Sequence, residues 1–579
     1  MTHASPVHFG RKEAPLFGWY HAPQNELNRG LGLVLCNTLG NESLRVHRSL
    51  RHLAEKLAAQ GFAVMRFDFD GTGDSLGEIT DTDQVKIWLN DIRFATEELK
   101  KRSGFSKISI FGVRLGATLA TQSASVLGEI EDLILWEPCL SGKDFVRESS
   151  RQHKMLISLS PSGFTLDRPG GIEGGKEFLG FYINNATLKN LETLDLSLIE
   201  KRPARNVLTI GSLATAGNFQ KALDHFESQG SLTEYQQIAG FQGIFREALF
   251  SEVPFQVLDG VVKWLTEKHV LLENQAPAEF SENPIAGAVK ETPLFFGKSK
   301  RLFGILTSPS EETKTSTVMI IVNAGVGTHI GPHRLYVQMA RDWAALGFHT
   351  FRVDLAGSGE STVDDFKEES SPYPKSSISD VEEAVSFLKE KYALNRFMIT
   401  GTCSGADIAF RAAAQDSRVS AAIVINPRSF CTYNFPELEL HIRAHYLQST
   451  LIRKKNWVNI LKGGLGSVDR VGQVIHSAAF KLKTLAEKKY RPSQDASWPV
   501  KDVPENFNKI LKRGSQIFLL ISEGDPGMEY VNIHFPKEMQ AFQETLGFRR
   551  IYVQGTDHLF TLKHAREQVL KTIRDYLSG

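Results

Sequence analysis

Five residues between an apolar run and a helical pattern carry the sharpest chemical signal in the chain: Gly401-Thr402-Cys403-Ser404-Gly405. The residues before them, RFMIT, read as a strand, and ADIAFRAAA after them reads as a helix. A cysteine at such a junction stands at a helix amino terminus, whose dipole favours a thiolate. Glycines on both sides give the bend the room that a strained turn needs. The chemistry on offer is nucleophilic attack by sulfur. The plainer reading is that Cys403 is a small buried residue, as most free cysteines are. Ser404, the neighbouring hydroxyl, is off the centre of the motif and is the weaker candidate nucleophile.

The elements that must position this turn occur twice. VHRSLRHLAEKLAAQGFAVMRFDFDGTGDSLG in the first half matches PHRLYVQMARDWAALGFHTFRVDLAGSGESTV in the second. The offset is 286 between His47 and His333, and also between Arg66 and Arg352 and between Asp68 and Asp354. It becomes 289 at Gly112 and Gly116, which fall on Gly401 and Gly405. A period this long means two copies of one domain rather than a solenoid. The expected domains are residues 1–275 and 290–579, joined by a polar, Pro-containing linker from Glu273 to about Lys290. Within each half, short apolar runs (VMIIVN, HTFRVD, VSAAIVI, QIFLLIS, RRIYV) alternate with helical patterns. That alternation builds a mostly parallel sheet covered by helices on both faces. A segment at about 428–513 interrupts it and reads as a helical cap.

With the motif in this context, the chain resembles the α/β-hydrolase superfamily, in which the turn usually reads G-x-S-x-G. A central Cys is similar to dienelactone hydrolases and polyhydroxyalkanoate synthases. The stretch HRLYVQMARDWAALGFHTFRVDLAGSGES resembles exosortase-associated hydrolases. The resemblance implies two tandem α/β-hydrolase-like domains with cap insertions. It also implies a base late in the chain: His558, in Gly-Thr-Asp-His-Leu-Phe, with His564 on the following helix as the weaker choice. The acid follows the preceding strand at Asp525, with Glu523 as the alternative. The order Cys, Asp, His agrees with the fold. For the oxyanion hole, the donors expected are the backbone N–H of Ser404 and that of Gly325, in the loop after VMIIVN. Asp354 is expected to be structural. His329 and His333 lie near the mouth, within reach of a substrate, but His333 is expected to be an architectural partner of its helix start because His47 repeats it.

The first half keeps the turn but not the machinery. Gly112-Val113-Arg114-Leu115-Gly116 has an arginine where the nucleophile belongs. No carboxylate stands in NVLTIGSLATAG, and Gly243 falls where His558 does. This copy is expected to be non-catalytic. Arg114 is either an anion-binding group or a space-filler meeting Glu137 or Asp68.

The whole chain has 579 residues, 41% hydrophobic and 23% charged, with a formal net charge of +1. That balance points to no nucleic acid partner and no anionic surface. The amino terminus lacks a signal-like apolar run, and no stretch of about 18 apolar residues implies a membrane span. The four cysteines lack metal-type spacing, so a reducing, cytoplasmic setting is expected, with no metal and no cofactor. Sulfur exchanges well with thioesters. The leading expectation is therefore acyl transfer from an acyl thioester of coenzyme A or acyl carrier protein, by an acyltransferase or thioesterase of lipid or natural-product biosynthesis. An ester or lactone hydrolase and a non-enzymatic binding protein are the other readings. The acyl group, the acceptor and the oligomeric state are not fixed by sequence.

Overall fold

A computed structural model describes residues 4–79, 83–159, 174–212, 215–244, 251–272, 290–309, 315–325, 327–365, 368–430, 502–523, 525, 527 and 535–578. Most of the expected cap, residues 431–501, lies outside them. Among the described residues no helix is long and apolar enough to cross a membrane.

Each half builds a sheet of eight strands. The first contains β1 (Ala4–Gly10), β2 (Pro15–His21), β3 (Leu31–Cys36), β4 (Ala63–Phe67), β5 (Lys107–Val113) and β6 (Ile130–Trp136). A hairpin of β7 (Gly175–Phe178) and β8 (Phe181–Asn184) stands apart, and β9 (Asn206–Gly211) and β10 (Leu232–Gln237) complete the sheet. The second contains β11 (Lys290–Phe296), β12 (Leu302–Ser308), β13 (Thr317–Val322), β14 (His349–Asp354) and β15 (Arg396–Thr402). It ends with β16 (Val419–Ile425), β17 (Gln516–Ser522) and β18 (Phe548–Val553).

The strand orders are the same, β1-β2-β4-β3-β5-β6-β9-β10 and β11-β12-β14-β13-β15-β16-β17-β18. In both, the second strand of the order runs antiparallel to its two neighbours, and the other neighbouring pairs are parallel. Parallel strands read as unbroken apolar runs because both faces are covered. In β13, Val318, Ile320 and Val322 pack on one face with Leu388 and Phe410. Met319 and Ile321 pack on the other with Met339, Trp343 and Val569.

The two halves meet reciprocally. Phe17 and Trp19 of β2 form one cluster with Phe303 and Ile305 of β12, the same positions in the repeat. Trp19 meets Phe303 edge-on with ring centres 4.9 Å apart. Beside this cluster the Arg66 guanidinium holds Glu360 with both Nη groups, at 3.0 and 2.9 Å. Its counterpart Arg352 reaches back to Asp74 at 2.5 Å. Asp74 and Glu360 are themselves counterparts in the repeat. Removing one partner of such a buried pair costs about 3–5 kcal/mol, because the other charge is left uncompensated. Arg334 donates into the first half's Gly-rich turn, to the carbonyls of Gly73 (2.9 Å) and Gly71 (3.1 Å).

The β7–β8 hairpin, which the sequence reading did not anticipate, also crosses to the second half. Glu177 accepts from the backbone N–H of Lys563 at 2.6 Å, and Arg566 donates to the Gly180 carbonyl at 2.5 Å. Arg566 also holds the carbonyls of Phe560 (3.3 Å) and Thr561 (2.5 Å), in the loop that carries His558. A Cβ on Gly180, whose φ is +90°, would lie 2.1 Å from the Thr561 oxygen.

Candidate active site

β15 ends at Thr402, and a helix, Ser404–Gln415, starts two residues later. Cys403 between them has φ 58° and ψ −127°, a strained setting for a side chain with a Cβ. The bend is over-determined by its surroundings. The Cys403 N–H donates to Ile425 at 3.1 Å, and the Ala406 N–H returns to the Cys403 carbonyl at 3.1 Å. The Tyr336 hydroxyl accepts from the Thr402 N–H at 3.0 Å. Both flanking glycines are needed for closeness. A Cβ on Gly405 would sit 2.6 Å from the Asn323 oxygen, and one on Gly401 would sit 2.5 Å from the Gly405 carbonyl.

His558 comes from the loop after β18, and Asp525 from the turn after β17. His558 Nδ1 lies 2.5 Å from Asp525 Oδ2, and Asp525 Oδ1 accepts from the Gly527 N–H at 2.8 Å. Asn426 steadies the loop by donating to the His558 carbonyl at 2.8 Å. Glu523, the alternative acid, is exposed; it is Asp525 that reaches the imidazole. His558 Nε2 is buried and makes no hydrogen bond of ordinary geometry, yet the ring and the Cys403 sulfur are near enough to shift each other's ionisation.

A residue that sequence reasoning passed over completes the group. Arg428, two residues past the Asn426 that follows β16, donates from Nε to Cys403 Sγ at 3.2 Å. Its loop is braced by Asp407, which accepts from the N–H groups of Ser429 (3.2 Å) and Phe430 (2.8 Å) and from the Tyr373 hydroxyl (2.7 Å). Burial alone would raise the Cys403 pKa; Arg428 first, then His558, outweigh it and bring the thiol down to about 7. Burial would likewise lower His558, but Asp525 and the sulfur push it up to about 10. The guanidinium and the imidazole thus both stabilise the thiolate form of Cys403 against the effect of burial.

Of the two expected oxyanion donors, the Gly325 N–H is met by the Ser404 side chain. The Gly325 N–H donates to Ser404 Oγ at 2.7 Å, so in this state it is engaged rather than offered to a substrate. The cause is local: Ser404 opens the helix, and its hydroxyl reaches the strand-end loop, where Gly325 has φ +56°. The Ser404 N–H is in the first turn of the helix, where amide groups lack intrahelical acceptors.

His329 is an architectural residue. Its Nδ1 meets Asp354 and its Nε2 meets Asp74, both at 2.7 Å, across the junction of the halves. Against the effect of burial, Asp354 and Asp74 push its pKa up to about 10. Asp354 is tied up there, and His333 packs edge-on to Phe181 of the hairpin.

In the first half, Arg114 adopts φ 53° and ψ −124°, nearly the values of Cys403. It meets neither Glu137 nor Asp68. It pairs with Glu42 (3.4 Å) and with Glu148, so two carboxylates of this copy already contact the guanidinium. Glu137 instead caps the end of β9, accepting from the Ser212 N–H at 2.6 Å. Among the described residues no group of three or more His, Cys, Asp or Glu is placed to hold a metal ion.

A family comparison agrees with this architecture. The family model for serine aminopeptidase, S33, matches residues 33–163 and again residues 314–462, once in each half. No curated protein matches the chain. Solved structures that resemble it include an esterase from Pyrococcus furiosus (12% identity, TM-score 0.32, 50% of this chain and 90% of that one). Est1E from Butyrivibrio proteoclasticus with ferulic acid bound is another (16%, 0.33, 45% and 98%). A dienelactone hydrolase from Anabaena variabilis is a third (13%, 0.30, 50% and 96%). With the family model recurring in each half and one strand order built twice, the chain is a tandem of two copies of one α/β-hydrolase-like fold.

Proposed function

We propose that the second copy is a cysteine-dependent acyl-transfer enzyme, with Cys403 as nucleophile, His558 as base and acid, and Asp525 as the group that orients His558. The observation that carries this is the Cys403 sulfur 3.2 Å from Arg428 Nε, beside an imidazole whose Nδ1 is 2.5 Å from Asp525. Asp525 fixes the tautomer and stabilises the imidazolium. The thiolate attacks the acyl carbonyl and forms a sulfur–carbon bond. The oxyanion collapses to an acyl-enzyme and expels the leaving group, which takes the proton from His558. Neutral His558 then deprotonates the incoming water, alcohol or amine, which releases the acyl group and restores the thiolate.

A thiolate nucleophile suits acyl thioesters of coenzyme A or an acyl carrier protein, because attacking and leaving groups are alike. The buried free thiols Cys36 and Cys139 fit a reducing, cytoplasmic setting. Ester or lactone hydrolysis is the second reading, favoured by the hydrolase family model. The first copy serves as a non-catalytic partner domain.

Intact-protein mass spectrometry after incubation with a panel of acyl thioesters and oxygen esters tests the assignment. An acyl adduct mapped to Cys403 is expected, absent in Cys403→Ala, and the preferred donor separates the two readings. Turnover that persists in Cys403→Ala sinks both.

A further inference from the structure

We infer that Arg428 is a catalytic residue that donates to the oxyanion formed at Cys403, doing the work usually given to the strand-end backbone amide. The inference rests on Cys403 being the nucleophile proposed above. Two observations lead to it. The amide expected to supply the second oxyanion donor, that of Gly325, is engaged by Ser404 Oγ at 2.7 Å. And a guanidinium touches the sulfur from the side of the β16 loop, with Nε at 3.2 Å.

Charge conservation supplies the rest of the argument. In the resting site the thiolate is the anion that Arg428 contacts. Asp407 is close enough to be felt, but it spends its oxygens on Tyr373, Ser429 and Phe430. When sulfur attacks, its electron pair becomes the new sulfur–carbon bond and the carbonyl π pair moves onto oxygen. The negative charge has then left the sulfur for an atom two bonds away. A buried cation that loses its counter-charge is costly, so the arrangement favours the state in which the guanidinium follows the charge. A guanidinium suits this step because it offers a rigid, planar fork of N–H donors. Nε faces the sulfur while the adjacent Nη on the same edge reaches the oxygen, so no side chain needs to leave its place. When the oxyanion collapses, the pair returns to the carbonyl, the leaving group departs with the proton from His558, and Arg428 faces a neutral acyl-enzyme. That state raises the demand for the next oxyanion, formed when the acceptor attacks.

The test separates ionising the sulfur from holding the oxyanion. Iodoacetamide reacts with a thiolate at saturated carbon and forms no oxyanion. Acylation by p-nitrophenyl acetate forms one. Both rates are measured as a function of pH and compared per thiolate, on wild-type protein, Arg428→Met and Arg428→Lys, because loss of the guanidinium also lets burial raise the thiol's pKa. Alkylation of Cys403 is expected to stay within about threefold of wild type in both variants. Acylation is expected to fall by about 10²-fold in Arg428→Met, the size of losing one oxyanion donor. It should fall less in Arg428→Lys, which keeps the charge but not the fork. If acylation falls no more than alkylation, Arg428 only ionises the sulfur and the inference is overturned. If Arg428→Met does not fold, the same ratio in Arg428→Lys decides. A wild-type Cys403 that alkylates but is never acylated overturns the acyl-transfer reading together with this one, whereas equal losses in the variants overturn this one alone.

Discussion

Arg114 and Cys403 occupy the same bend in the two copies, with backbone angles that agree within about 5° (φ 53° and 58°, ψ −124° and −127°). The residues beneath them are also counterparts: Pro138-Cys139 falls on Pro427-Arg428 at the offset of 289. The two copies thus hold the same pair of side chains, a sulfur and a guanidinium, exchanged between bend and loop. In the second copy the sulfur is at the bend, with an arginine below and an imidazole beside it, and its thiol is pulled down to about 7. In the first, the sulfur is in the loop, burial pushes its thiol up to about 12, and the guanidinium at the bend is matched by Glu42 and Glu148. The strained backbone alone therefore says nothing about chemistry here. It belongs to the strand–turn–helix architecture, and the charge set around it decides what the bend can do.

The largest effect expected from that contrast comes from giving the second copy the first copy's arrangement, Cys403→Arg with Arg428→Cys. Acyl turnover should fall by about 10⁴-fold or more, the scale of losing a nucleophile, read from steady-state hydrolysis of an activated ester. Surviving turnover would place the chemistry somewhere other than this bend.

A smaller effect is expected from the contact by which the first copy steadies the second. Gly180→Val puts carbon where the Thr561 oxygen and the Arg566 guanidinium now sit, and displaces the loop bearing His558. A shift near 1 Å in a catalytic group can cost about 10²-fold, so kcat should drop on that scale although the change lies in the other half. Wild-type kcat in a folded Gly180→Val would mean that the loop needs no help from the hairpin.

The smallest expected effect is one of stability. His329 is pushed from 6.5 to about 10 by Asp354 and Asp74. A raised pKa contributes stability in full below about 6.5, and that contribution drains away as pH rises toward about 10. The wild-type Tm should therefore approach that of His329→Gln across this window, by about 2–4 °C for each kcal/mol lost. Parallel melting profiles of the two proteins from pH 6 to 10 would remove His329 from the account of how the copies hold together.

Much of this was legible in sequence, for identifiable reasons. The repeat, the apolar runs and the Gly-flanked cysteine are local patterns, and they led to the two sheets and the bend. His558 and Asp525 were found through resemblance and chain order, and the two side chains do meet. Arg428 was not found as a partner of Cys403, because no spacing rule ties position 428 to position 403; it was read only as the edge of a cap. The engagement of Gly325 by Ser404 was equally hidden, since it depends on one hydroxyl rotamer. The reciprocal pairs Arg66–Glu360 and Arg352–Asp74 use residues that the repeat had already aligned. That they cross between copies becomes visible only once the sheets are docked.

Those crossed pairs have a consequence for the chain's divisibility. A contact in which residue i of one copy meets residue j of the other, and the reverse, is how identical subunits associate about a twofold axis. The protein is in that sense a covalent dimer whose two members are free to differ at their bends but bound to stay alike at their turns. Cut at the linker, each piece would present an arginine and an acidic residue shaped for a mate, and each would be drawn to self-association through the surface it now lends to its sibling.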